Sequence, residues 1–69
     1  MVYNYSKLLG RMKERGYTQK SLAKEIRRDE GSISAKLNNK SNFTAVEIDS
    51  ICELLDIDNN EIGTYFFAK

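Results

Sequence analysis

The chain has no histidine and no proline, and only one cysteine and four glycines in 69 residues. Each scarcity excludes something. Without histidine, the usual proton carrier near neutral pH is missing, which disfavours an enzyme. One cysteine cannot close an internal disulfide and fits a reducing compartment. It also lacks a histidine neighbour to make it a nucleophile. No Cys/His cluster has zinc spacing. Gly10, Gly16 and Gly31 are too scattered to cradle a phosphate, and Asp56 and Asp58 lack the spacing of a calcium loop. No apolar run approaches the ~18 residues of a membrane span, and the start lacks the basic-then-apolar pattern of a secretory signal. The expectation is one cytoplasmic domain spanning residues 1–69, with no catalytic residue, metal, cofactor, membrane contact or small-molecule ligand.

Alternation of apolar and polar residues is also missing over any length that would make a strand. Helical spacing is present instead. Asn4 or Ser6 can cap a first helix to about Arg15, with Tyr5, Leu8, Leu9 and Met12 as its apolar stripe. Gly16 follows, where a left-handed stop is wanted. Thr18 caps a second helix through about Ile26, with Leu22, Ala23 and Ile26 inward. Asp29 caps a third, about residues 30–38, with Ile33 and Leu37 inward. Asn39 is the best non-glycine residue for a left-handed stop. Thr44 and Glu47 form a capping box opening a fourth helix to about Leu55. Its buried stripe is Ile48, Ile51, Cys52 and Leu55, which makes Cys52 a small core residue. Asp58 and Glu61 repeat the capping pattern before a short fifth helix. The predicted fold is all-α, with five helices and short connections.

The net charge of +1 conceals an asymmetry. Residues 1–41 hold ten Lys/Arg against four acids, while residues 42–69 hold six acids against Lys69 alone. A basic part joined to an acidic one is the footprint of a phosphate-binding surface. The plainer alternative is that lysine-rich helices simply solvate their outer faces.

Thr18-Gln19, Leu22-Ala23, Ile26, Ile33-Ser34 and Leu37-Asn38 followed by Lys40 fall at the spacing of two crossing helices. Residues 18–40 resemble the helix-turn-helix of lambda-repressor-like (Cro/C1, XRE-type) regulators. Ile48 to Ile57 resembles that family's fourth helix, and Glu61 to Phe67 is similar to the ending of short phage or prophage members. Two residues depart from the pattern. The family usually has glycine where Arg27 stands and an apolar residue where Arg28 stands. Either Arg27 accepts a left-handed backbone at a cost of roughly 1 kcal/mol, or the second helix runs on.

The resemblance implies a compact five-helix DNA-binding domain in a bacterial cell or phage-infected host. It implies a homodimer on a palindromic double-stranded operator, with half-sites about 34 Å apart. By the same resemblance Gln19, Glu30, Gly31, Ser34 and Ala35 read bases. Thr18, Lys20, Arg27, Arg28, Ser32, Lys36, Asn38, Lys40, Ser41 and Asn42 contact phosphate. Each has a structural alternative. Glu30 can serve the helix dipole, and Gln19 can be a solvated first-turn residue. Arg27 and Arg28 can pair with the acidic C-terminal region. Tyr65, Phe66 and Phe67 are core or dimer contacts.

The expected function is therefore a sequence-specific repressor of Cro type. The rival is a helix-turn-helix module of antitoxin or anti-repressor type that binds a protein. Asp29 and Glu30 on the would-be reading face favour the rival; Gln19 and the cations favour DNA.

Overall fold

Local capping decides where most of the helices begin. Thr18 Oγ1 accepts from the Ser21 amide at 3.1 Å, and the Ser21 hydroxyl accepts from the Thr18 amide at 2.9 Å. That reciprocal pair opens α2 (Gln19–Glu25). Asp29 accepts from the Ser32 amide at 3.3 Å and opens α3 (Glu30–Leu37). Thr44 and Glu47 form the expected capping box, at 3.1 and 2.8 Å, and open α4 (Ala45–Leu55). The computed structural model describes residues 2–69 and adds α1 (Ser6–Glu14), a 3₁₀ turn (Asn59–Glu61) and α5 (Ile62–Phe66). Among the described residues there are five α-helices and no strand.

Two starts differ from expectation. Neither Asn4 nor Ser6 caps α1: Tyr5 holds the cap position without a side-chain bond, and Asn4 Oδ1 accepts from the Ser6 amide at 2.9 Å. Asp58 makes no capping bond either, and the 3₁₀ turn intervenes before α5.

The stops share one device. Gly16, Arg27, Asn39 and Asp56 all have positive φ, at 79°, 59°, 62° and 54°. After each, the next amide reaches back five residues: Tyr17 to the Met12 carbonyl, Arg28 to Ala23, Lys40 to Ala35 and Ile57 to Cys52, all at 2.8–2.9 Å. This closure satisfies carbonyls that the helix end leaves free. Arg27 therefore adopts the left-handed turn, and α2 does not run on.

The core gathers one face from every α-helix. Leu8, Leu22, Ile33, Ile51, Leu55 and Phe66 are its largest fully buried side chains. Ala23 is buried too, and α2 packs directly against α3. Leu9 departs from the expected stripe: it is 41% exposed. Its neighbour Leu8 takes the inward place, and adjacent helical residues point about 100° apart.

Two long-range ties close the fold. The Arg11 guanidinium donates from Nε to the Leu55 carbonyl at 2.9 Å and from Nη2 to the Asp56 carbonyl at 2.8 Å. A cation on α1 thus caps the C-terminus of α4, where the helix dipole is negative. Asn39 ties the N-terminal segment to the end of α3. Its Oδ1 accepts from the Tyr3 amide at 2.8 Å, and its Nδ2 donates to the Tyr3 carbonyl at 2.9 Å.

Candidate recognition face

The pair α2 and α3, joined by the turn at 26–29, presents most of the sequence-predicted site residues. Their surroundings divide them into three groups.

The first group lies at the surface, and apart from Thr18, which caps α2, its side chains are free. Thr18, Lys20, Arg27, Glu30, Gly31, Lys40, Ser41 and Asn42 are exposed, and Gln19 is half-exposed at the first position of α2. Gly31 has a local role. A Cβ there would lie 2.9 Å from the Asp29 carboxylate that caps α3, so glycine leaves that cap undisturbed.

The second group is half-buried or bonded locally. Ser32, Ser34 and Ala35 are half-buried. The Asn38 side chain donates to the Ser34 carbonyl at 2.8 Å, which spends part of its bonding capacity on the end of α3.

The third group is engaged by Glu47, Lys36 from within the fold and Arg28 from the surface. Lys36 is buried, and its ammonium donates to Glu47 Oε1 at 2.6 Å. Arg28 donates from Nε to Glu47 Oε2 at 2.7 Å. Glu47 is itself only 2% exposed and belongs to the capping box of α4. One carboxylate thus joins the turn, the middle of α3 and the start of α4. Burial opposes its ionisation. Hydrogen bonds from Lys36, the Thr44 amide and Arg28 outweigh that cost and hold it at about 2, below its ordinary 4.5. Pairing of Arg28 with the acidic part of the chain is the alternative that the structure displays.

From the sequence alone, Glu47 has no role beyond capping. A signal existed: Lys36 lies three residues from Ile33 and next to Leu37, so it falls on the inward arc of α3. A cation there requires an internal anion.

Glu30 and Asp29 give the leading end of α3 an exposed acidic character. Asp29 is committed to capping; Glu30 sits in the first turn, where the dipole favours a carboxylate.

The aromatic end also divides. Phe66 is core, meeting Phe43 edge-on at 5.5 Å, and so leaves the set of available dimer contacts. Phe67 is 48% exposed and meets Tyr3 edge-on at 5.5 Å. Tyr65 is half-buried. No described helix is long and apolar enough to cross a membrane.

The fold and this face define a small all-helical protein built around two short, closely packed helices. The chain belongs to the family described as a protein of unknown function, DUF739, whose model matches residues 1–69. It is similar to the modulator of repression (MOR) of the temperate bacteriophage TP901-1 from Lactococcus lactis, known from a solution structure. The two are 36% identical with a TM-score of 0.81, over 97% of this chain and 90% of that one. No curated protein sequence matches the chain. It therefore shares its fold, over nearly its whole length, with a phage regulatory protein.

Proposed function

We propose that the chain is a phage-type regulator that modulates repression, and that the outer face of α2 and α3 engages a protein partner, a DNA-binding repressor. The observation that carries this reading is the engagement of Arg28 and Lys36 by Glu47. A helix that reads DNA wants cations at its flanks to meet phosphate. Here the lysine within α3 is buried, the arginine before it is paired, and the leading end presents Asp29 and Glu30. A carboxylate at that position is repelled by phosphate and suits a basic protein surface. The similar phage protein is by name a modulator of repression, which agrees with this reading.

A second reading keeps the helix-turn-helix as an operator reader, a Cro-like repressor acting as a dimer. Gln19 at the start of α2, with exposed Lys20, Arg27 and Lys40 around it, favours that reading.

One pair of experiments decides between them. The chain alone is taken through selection from a random duplex library. It is then added to a complex between the repressor of its own phage or prophage and that repressor's operator. The expected outcome is no enriched sequence and a changed affinity of the repressor for its operator. An enriched inverted repeat, bound with steep salt dependence, would establish the operator reader instead.

A further inference from the structure

We propose that Glu47 sets the ligand selectivity of the α2–α3 face by withholding Arg28 from phosphate. This deepens the protein-directed reading and rests on it. The geometry has three parts. First, Glu47 cannot swing away freely, because its Oε1 also accepts from the Thr44 amide at 2.8 Å within the capping box. Second, both cations converge on this one carboxylate, Lys36 at 2.6 Å and Arg28 at 2.7 Å. Third, the depth differs: the side chains of Glu47 and Lys36 are 3% and 10% exposed, while that of Arg28 is 39% exposed. Arg28 is thus the cation closest to solvent, and its Nη1 is further engaged by the Arg27 carbonyl at 3.3 Å.

An arginine recognises phosphate with its planar fork of N–H donors. Arg28 has already committed Nε, and one Nη, to partners within the chain. The internal carboxylate is preorganised and largely shielded from water, so it competes better than a screened phosphate at the surface. Glu47 touches no ligand in this scheme. It is a positioning residue that acts through Arg28. Its effect is to lower the non-specific attraction of the face for nucleic acid, which leaves the exposed acid Glu30 and its half-buried polar neighbours to define the partner.

The test uses a labelled random-sequence duplex of about 20 base pairs, titrated by anisotropy over a series of salt concentrations. R28Q should bind this duplex within about twofold of the parent, with the same salt slope, because Arg28 makes no phosphate contact. E47Q releases Arg28. It should bind several-fold more tightly, with a log–log salt slope steeper by about 0.9, the signature of one added phosphate contact. The double variant R28Q/E47Q should return to the parent slope. Circular dichroism establishes that each variant is folded. A loss of affinity in R28Q with a shallower slope would overturn the proposal, as would a folded E47Q with an unchanged slope. Should E47Q fail to fold, the R28Q titration decides alone.

These outcomes are separable from the fate of the protein-directed reading. An operator selected by the parent chain, together with an unaltered slope in R28Q, would remove that reading and leave the withholding of Arg28 in place.

Discussion

Glu47 concentrates more of the chain's electrostatics than any other described side chain. Three donors hold its carboxylate, and the two cationic ones come from different elements. Removing it with E47A leaves Lys36 buried and unpaired. The expected loss is about 3–5 kcal/mol, measured by urea unfolding, and is large for a domain this small. Acid has a related effect. The folded carboxyl titrates at about 2 and its ordinary value is 4.5. Its contribution is therefore complete above pH 4.5 and is lost as the pH falls toward 2. Linkage puts that contribution on the order of 3 kcal/mol. Thermal melts across this range should show the midpoint falling, and E47Q should flatten the slope. Cys52 behaves oppositely: burial, with the nearby Asp49 charge, raises its pKa. A thiol reagent should modify the folded chain far more slowly than the urea-unfolded one.

At the scale of the element, two left-handed stops make contrasting predictions. Arg27 holds a positive φ in a turn where its backbone needs no side chain. R27G should relieve about 1 kcal/mol of strain and raise the thermal midpoint by roughly 4–8 °C. Asn39 has nearly the same φ, yet its side chain pins Tyr3 through two hydrogen bonds. N39G should lower the midpoint, because the loss of those bonds, at about 1 kcal/mol each, exceeds the relief of strain. The same elements show what can be read from residues alone. The caps at Thr18, Asp29 and Thr44 and the stops at Gly16 and Asn39 were legible, because each depends on a side chain acting within a few residues. The residues around Arg27 allow two courses of the chain, since the choice depends on α3 packing back against α2. Leu9 departs from its expected place for a related reason. A period of 3.6 residues defines an arc, and neighbouring elements decide which residue of that arc they cover. The face of α2 and α3 was legible as a surface. The engagement of Lys36 and Arg28 by Glu47 was not, because their partner lies on α4.

For the molecule as a whole, the separation of basic and acidic halves is partly cancelled inside. Glu47 takes up charge from the basic half, while Asp49, Glu53 and Asp56 remain exposed on and just after α4. Of the cations assigned to phosphate, those left free are then Lys20, Arg27 and Lys40. Binding to random duplex should accordingly show a salt slope near that of three phosphates, about 2.7 log units per log unit of salt. A slope close to five contacts would mean that Arg28 and Lys36 leave Glu47 on binding.

Because the anion that permits Lys36 to be buried belongs to α4, the first three helices are not an autonomous unit. As the chain leaves the ribosome, α3 can bury its lysine only once residue 47 has emerged. A peptide copying residues 18–40 would expose that lysine and lose the support beneath α3. It would be a poor imitation of the face, and any minimal mimic must import a carboxylate at the position that Glu47 occupies.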